Sequence, residues 1–262
     1  MRFAFTSRAF IRATYLATLF LAVAPLRAAD DTAAMSVPLV EARQLHYLAP
    51  GKPDVAALLA PPPTVDSLEQ AADMDAVRAV YRSASGNDVA AANEERKFSV
   101  FNFAETAGPF MVETNLPKTA AFFKKVQKDA ATVTDDSKNY FRRPRPYTLD
   151  TNLANGKLET SFSYPSGHST ESMVLALVLA DLIPDQREAI ISHACGMGWH
   201  RVQIARHYPT DVFAGRVLAK AIVREMKANP DFNRDLEEAR RELAAAKSPT
   251  SSQSARNQAI GP

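Results

Sequence analysis

Four basic side chains fall within the ten residues 138-KNYFRRPRPY-147, where two prolines alternate with arginines. Proline fixes the local backbone, so the guanidinium groups are held in place. Arginines held in this way can bind a phosphate through bidentate hydrogen bonds. A solvated basic turn is the alternative, and this stretch alone leaves both interpretations open.

A second stretch, 163-SYPSGHSTESM-173, leads into an apolar helix. The first backbone N–H groups of a helix have no partner inside it, and the helix dipole favours a negative charge there. Gly167 would let an anion approach the backbone closely, and His168 can exchange a proton near neutral pH. The alternative is that Ser166 caps the helix and the histidine beside it is incidental.

The third stretch is 199-WHRVQIARHYPTD-211, in which Asp211 follows His207 by four residues. Pro209 begins a new helix, so the carboxylate of Asp211 would lie in its first turn. There it can accept a hydrogen bond from one imidazole nitrogen and leave the other with a free lone pair. The alternative is that Asp211 caps the turn while His207 packs in the interior.

Taken together, the three stretches resemble the signature of the type 2 phosphatidic acid phosphatase superfamily, which includes bacterial class A non-specific acid phosphatases and vanadium haloperoxidases. The signature is Lys, six residues, Arg-Pro; then Pro-Ser-Gly-His; then Ser-Arg, five residues, His, three residues, Asp. The pair Arg143-Pro144 does not fit it, because Asp136 stands at the lysine position. The residues that match are Lys138, Arg145, Pro146, Pro165, Ser166, Gly167, His168, Arg201, His207 and Asp211.

One position departs from the signature, since His200 stands where the family usually has serine. An imidazole is larger and can titrate, which puts the packing behind Arg201 and the pH profile in doubt. The flanking stretches 61-PPPTVDSLEQAAD-73 and 101-FNFAETAGPFMVETNLPKTAAFF-123 also resemble class A acid phosphatases. The resemblance covers roughly residues 58 to 228.

The resemblance implies a secreted acid phosphatase that hydrolyses soluble phosphate monoesters through a phosphohistidine. His207 would be the nucleophile, Asp211 its partner, and His168 the general acid and base. No metal and no cofactor would be needed, and vanadate, phosphate or similar oxyanions would inhibit. The implied phosphate-binding residues are Lys138, Arg145, Ser166, Gly167 and Arg201.

Two other functions are compatible with the same residues. One is a vanadate-dependent haloperoxidase, because vanadate mimics the transition state of phosphoryl transfer; the other is a non-catalytic phosphate-binding protein. A membrane-embedded lipid phosphatase is disfavoured, since spanning helices are not predicted. A metal site from His193, Cys195 and His200 is disfavoured because residues two apart on a helix do not share a face.

Composition sets further limits. The chain has 262 residues and a net charge of +2, which gives no general basic field for nucleic acid. Its 46% hydrophobic content suits a single domain. Cys195 is the only cysteine, so no intramolecular disulfide can form. A homo-oligomer, the preferred phosphate ester and any role of Glu105 and Glu113 are left open.

The N-terminus has the layout of a signal peptide over residues 1–29, with an arginine-containing front, the apolar run 13-ATYLATLFLAVAPL-26 and small residues near Ala28. A periplasmic or secreted protein follows from this, with no membrane span after cleavage. An N-terminal membrane anchor is the alternative, although the apolar run is shorter than the ~20 residues that span a bilayer.

The pattern of the remaining chain predicts an all-α fold, a single-domain helical bundle of the acid phosphatase/vanadium-dependent haloperoxidase type. The domain would cover 30–247, with a proline-rich extended arm over 30–65 and a disordered tail over 248–262. Helices are predicted over residues 66–84, 88–103, 117–133, 169–183, 185–206, 209–228 and 231–247.

Overall fold

The computed structural model describes residues 45–248, and every regular element among them is a helix. The predicted all-α fold is confirmed. The predicted signal peptide over residues 1–29, residues 30–44 of the predicted arm and residues 249–262 of the predicted tail lie outside the described residues. The longer helices are α1 (Leu68–Ser83), α2 (Gly86–Glu94), α3 (Pro117–Phe141), α4 (Gly167–Leu182), α5 (Arg187–Gln203), α6 (Pro209–Lys227) and α7 (Pro230–Lys247).

Helix α4 is the centre of the bundle and packs against α3, α5 and α6. Its sequence is apolar all round after the first turn, which is typical of a helix enclosed by others. Eleven of its sixteen residues are buried. Because α4 is held on several sides, its N-terminus has a fixed position, and the second sequence stretch lies at that N-terminus.

Two glycines allow the neighbouring helices to approach the first turns of α4. A Cβ at Gly215 of α6 would lie 2.9 Å from the Ser166 carbonyl oxygen, and one at Gly198 of α5 would lie 3.1 Å from the Ser169 side chain. Both distances are shorter than ordinary contacts. The glycines therefore bring α5 and α6, which carry or flank the third stretch, against the helix that begins at the second.

Several helix bounds differ from the predictions, and α5, for example, ends at Gln203 rather than at residue 206. The cap of α1 is Ser67, whose Oγ accepts from the Gln70 N–H at 3.1 Å, one residue later than predicted. Helix α2 ends at Glu94, and residues 88–103 are not one helix, because the polar run 93-NEERK-97 offers no apolar face to bury. A separate turn of 3₁₀-helix covers Val100–Phe103.

Helix α3 runs eight residues beyond its predicted end, to Phe141. Some residues of the polar stretch after residue 133 are buried. The hydroxyls of Thr134 and Ser137 each donate to the carbonyl four residues earlier at 2.7 Å, so they can be buried with a hydrogen-bond partner. Arg142 ends the helix in the left-handed conformation. The extension matters because it places Lys138 in the last turn of a long helix rather than in a loop.

The described part of the arm lies against the bundle. Backbone N–H groups of His46 and Tyr47 donate to the buried carboxylate of Asp129 at 2.7–3.1 Å. The Tyr47 hydroxyl donates to Asp235 of α7 at 2.7 Å, and one helical turn follows at Val55–Leu58. Across residues 45–248, no helix has the length and apolar character needed to cross a bilayer.

Candidate active site

The first stretch contributes two arginines with different surroundings and a lysine. Lys138 is buried in the last turn of α3, and Arg145 is buried in the loop that follows. The prolines set this loop, which turns into the short helix Pro146–Leu149. Burial, and then the charge of Arg145, lowers the pKa of Lys138 to about 8. An ammonium held in this way gains strongly from a nearby anion.

Arg145 is held by oxygens from two other segments. Its Nε donates to the Ser161 carbonyl at 2.7 Å and its Nη2 to the Ser161 hydroxyl at 3.0 Å. Its Nη1 donates to the Arg206 carbonyl at 2.9 Å and lies 3.3 Å from His207 Nε2. The first and third stretches therefore meet at this guanidinium group.

His207 lies at the end of the turn between α5 and α6 and is 1% exposed. Its Nδ1 is 3.2 Å from Asp211 Oδ2 and 3.4 Å from Ser163 Oγ. A carboxylate only accepts hydrogen bonds, so the pairing favours a proton on Nδ1 and a lone pair on Nε2. Burial, followed by the charges of Arg145 and Lys138, lowers the pKa of His207 well below its ordinary value. The ring is therefore neutral over the ordinary pH range.

Asp211 accepts from several donors and is fully buried. Besides His207, they are the Ser163 hydroxyl at 2.5 Å, the Tyr208 backbone N–H at 2.9 Å and Arg143 Nη1 at 2.6 Å. A buried carboxylate with this many donors is fixed in orientation. It can hold the His207 ring in one tautomer.

Arg143, which does not fit the signature, holds the carboxylate of Asp211 in place through the hydrogen bond from its Nη1. Its other guanidinium nitrogen donates to Asp73 of α1 at 2.7 Å and Gln70 at 2.6 Å. The guanidinium also stacks on the ring of Tyr208, 3.8 Å from its centroid. The sequence indicates no role for Arg143, because its partners are distant in the chain and leave no local pattern.

The second stretch forms the N-terminus of α4. Ser166 is the cap residue and is fully buried, and its backbone N–H donates to the Asp211 carbonyl at 3.0 Å. A Cβ at Gly167 would lie 3.8 Å from Lys138 Nζ, so the lysine ammonium stands beside the first N–H groups of the helix. Both features favour an anion at this point.

His168 faces the loop after α2. Its Nε2 lies 3.1 Å from the Glu95 carbonyl oxygen, which can only accept, so Nε2 carries the proton and Nδ1 is the unprotonated nitrogen of the neutral ring. Burial, and then the charge of Arg201, lowers the pKa of His168 to about 3. A negatively charged ligand would act in the opposite direction and favour the protonated ring.

Arg201 lies in the last turn of α5 and is 2% exposed. Its Nη1 donates to the Ala92 carbonyl at 3.2 Å and its Nη2 to Glu159 at 2.8 Å. Its Nε is buried and makes no hydrogen bond within residues 45–248. An unsatisfied buried donor of this kind can serve an oxyanion.

Glu159 is a site residue that the sequence did not indicate. Its carboxylate forms ion pairs with both Arg145 and Arg201. It lies on the loop between the first two stretches, where a lone glutamate carries no recognisable spacing. Burial alone would raise its pKa, but Arg145 and the other cations outweigh this and lower the pKa to about 2.

His200, the departure from the signature, pairs with Glu95, its Nδ1 lying 2.7 Å from Oε2. Glu95 therefore contacts both His200 and His168, one through its side chain and one through its carbonyl. His193 packs on the ring of Phe103. Over the described range no cluster of His, Cys, Asp and Glu could hold a metal ion, and Glu105 and Glu113 contact none of the site residues through hydrogen bonds or ion pairs.

The three stretches thus meet in one buried, cationic pocket beside a neutral imidazole, the kind of site that handles phosphoryl groups. The family model of the PAP2 superfamily matches residues 129–234. The chain is 30% identical over 203 residues to an acid phosphatase of Zymomonas mobilis subsp. mobilis, covering 74% of this chain and 77% of that protein.

Two further relatives agree. A non-specific acid phosphatase of Providencia stuartii is 30% identical over 215 residues, covering 78% of this chain and 86% of the relative. One from Salmonella typhimurium is 28% identical over 195 residues, covering 71% and 78%. The chain belongs to the PAP2 superfamily and, within it, is a phosphatase of the acid phosphatase group.

Proposed function

We propose that this phosphatase hydrolyses soluble phosphate monoesters outside the cytoplasm, in the periplasm or after secretion, through a phosphohistidine on His207 and without a metal ion. The observation that carries the proposal is the position of His207. Its Nδ1 pairs with a buried carboxylate, and its Nε2 lies beside Arg145. A neutral imidazole with a directed lone pair next to a phosphate-binding cation is what nucleophilic attack on phosphorus requires.

In the first step, His207 Nε2 forms a bond to phosphorus as the bond from phosphorus to the ester oxygen breaks. His168, protonated in the substrate complex, gives its proton to the departing alkoxide, so an alcohol leaves. The ring of His207 becomes positively charged, and Asp211 stabilises that charge. Lys138, Arg145, Arg201 and the N–H groups at Ser166 and Gly167 bind the non-bridging oxygens.

In the second step, water attacks phosphorus while neutral His168 takes a proton from it. The bond from phosphorus to Nε2 breaks, inorganic phosphate leaves, and His207 returns to its neutral form. Cations and helix N–H groups supply the charge stabilisation throughout, which is the basis for proposing metal independence. Dialysis against EDTA is expected to leave turnover unchanged, and loss of turnover that a divalent cation restores would contradict this part.

The pH dependence follows from the requirement for a protonated acid beside a neutral nucleophile. In the free protein both histidines have lowered pKa values. Negative charge from the bound ester raises the pKa of His168, so its protonated form is populated in acidic solution and lost as the pH rises. We expect kcat for phenyl phosphate, measured from pH 4 to pH 9, to fall above neutrality. A rate that climbs steadily there would contradict the role of His168.

A further inference from the structure

Glu159 occupies the place where the proposed phosphate ligands converge. One carboxylate oxygen pairs with Arg145 Nη1, and the other accepts from Arg201 Nη2 at 2.8 Å. Two oxygens on one central atom, each paired with a different guanidinium group, present the same pattern as two non-bridging oxygens of a phosphate. The substrate-free protein thus contains an internal anion between these two arginines.

The burial of the surrounding groups indicates which of them a ligand meets first. His207 is 1% exposed, Arg201 2% and Arg145 3%. The side chain of Glu159, by contrast, is 33% exposed and is the outermost of the four. A phosphate ester cannot reach a nucleophile that is closed to solvent unless a group moves, and Glu159 is both the most accessible and the one in the place of the anion.

We propose that Glu159 is an internal competitor, which an incoming phosphate ester must displace from Arg145 and Arg201, and that it thereby sets the affinity of the site for phosphate. The inference rests on the proposed function, since it takes these arginines as phosphate ligands. It makes Glu159 a determinant of KM rather than a participant in bond making.

The movement is a rotation of the side chain, because the backbone at Glu159 is held on both sides. The Tyr147 hydroxyl donates to the Glu159 carbonyl at 2.8 Å and accepts from its N–H at 3.2 Å. Arg206 donates to carbonyls of the preceding loop residues, and Arg145 donates to that of Ser161. Because these contacts hold the backbone, only rotation about the side-chain χ angles can move the Glu159 carboxylate.

A cavity beside Glu159 can receive the displaced carboxylate. Glu159 lines a cavity of about 650 Å³. The same cavity is lined by Arg96 and Lys157, which are exposed and whose side chains, in the described part of the chain, make no hydrogen bond or ion pair. A carboxylate that rotates outward would therefore remain near positive charge, which limits the cost of displacing it.

The internal anion also explains how three cations can share one buried pocket before substrate arrives. Lys138, Arg145 and Arg201 repel one another, and the ionised carboxylate of Glu159 offsets that repulsion. A bound phosphate would offset it equally well. Exchange of one anion for another therefore keeps part of this positive charge offset in both states.

The test is calorimetric titration of inorganic phosphate into the purified protein and its variants. Glu159→Gln keeps the shape but removes the charge, and we expect it to bind phosphate about tenfold more tightly. Glu159→Asp keeps the charge but is one methylene too short to reach both arginines from a fixed backbone, so it should also bind more tightly. Glu188→Gln is the matched control, about 20 Å from Arg201 along α5, and should behave as wild type.

Weaker or unchanged binding by Glu159→Gln would overturn the proposal. So would tighter binding by Glu159→Gln with wild-type binding by Glu159→Asp, because that pattern indicates simple repulsion rather than occupancy. Thermal melting gives a second measurement: without phosphate Glu159→Gln should melt below wild type, and phosphate should raise its Tm more than that of wild type. Titration needs no turnover, so failure of the phosphohistidine mechanism would leave this result interpretable.

Discussion

At the scale of single residues, Arg142 and Arg143 are neighbours with opposite surroundings. Arg142 is exposed, and within residues 45–248 its guanidinium group donates only to the Asn139 carbonyl of its own helix. Arg143 is buried between the carboxylates of Asp73 and Asp211. The spacing that identified Lys138 and its companions could not find Arg143, because the three charges come from three distant segments and only the fold brings them together.

Replacing Arg143 with Met should cost about 3 to 5 kcal/mol of the free energy of unfolding, since it leaves two buried carboxylates short of a partner. Because Asp211 is one of them, kcat should fall as well. Arg142→Met removes the same charge one residue away and should change stability by less than about 0.5 kcal/mol. Urea unfolding of the two variants makes the comparison, and equal effects would contradict the positioning role of Arg143.

His168 should matter most when the leaving group is a strong base. We expect His168→Ala to reduce kcat for phenyl phosphate by about 10²- to 10⁴-fold, because an alkoxide or phenoxide must then leave without a proton. With p-nitrophenyl phosphate, whose leaving group is stable as an anion, the first step should be much less affected. Rapid-mixing measurement of p-nitrophenol release should show a burst followed by slow turnover. Equal losses for both esters in the rate of the first step would contradict the assignment of His168 as the acid.

At the scale of helices, the site depends on how closely α6 and α5 approach the N-terminus of α4. The sequence predicted α4 and α6 to within two residues at each end, because the apolar run of α4 and the proline start of α6 are local features, whereas α5 ends at Gln203, three residues before its predicted end. It could not predict the close approach at Gly215, because a glycine in a helix carries no local sign of what it faces. The extension of α3 was missed for a related reason, since buried hydroxyls look like surface residues in the sequence.

Gly215→Ala tests that approach. The added Cβ would meet the Ser166 carbonyl at 2.9 Å and the Ser169 side chain at 3.0 Å, so α6 must move away from α4. We expect the free energy of unfolding to fall by roughly 1 to 3 kcal/mol because of the strain at this contact. We also expect a larger KM, because Ser166 and His207 are displaced relative to each other.

Gly196→Ala is the matched control for this helix contact. Its Cβ would meet nothing within 4 Å, so the better helix propensity of alanine should stabilise the protein by up to about 1 kcal/mol. Thermal unfolding and KM of both variants decide the matter. A neutral Gly215→Ala would show that the contact is not tight in solution.

At the scale of the whole molecule, the absence of strand patterns was enough to predict an all-α fold, and the signature residues were enough to predict which loops come together in the structure. The network around it was not predictable. Glu159, Arg143 and Glu95 act through partners tens of residues away, and a single sequence contains no record of such contacts. Buried charge also makes the stability of the whole chain depend on pH in two opposite senses.

Glu171 should dominate the alkaline side of that dependence. Burial raises its pKa to about 7 from 4.5, so the folded state holds this proton more tightly than the unfolded state. Its contribution to stability is complete below about pH 4.5 and is lost as the pH rises through 7. We expect Glu171→Gln to be more stable than wild type by about 2 kcal/mol at pH 8 and to differ little at pH 4.

The lowered pKa values of His168 and His207 affect stability in the opposite direction, because the unfolded state binds their protons more tightly than the folded state. Stability is therefore lost as the pH falls from about 6.5. Glu171→Gln should leave this acidic side of the stability curve unchanged. Chemical unfolding at pH 4, 6 and 8 gives the comparison. An equal shift at all three pH values would show that ionisation of Glu171 is not the cause.

The central claim is that phosphorus becomes bonded to His207 Nε2 during turnover. The most direct measurement is to mix the enzyme with a ³²P-labelled phosphate monoester, quench within milliseconds in alkali, digest the protein and locate the label by mass spectrometry. We predict label on the peptide that contains His207, stable to alkali and lost in acid, and none in His207→Ala. Turnover with no labelled peptide, or label on a different residue, would contradict the account.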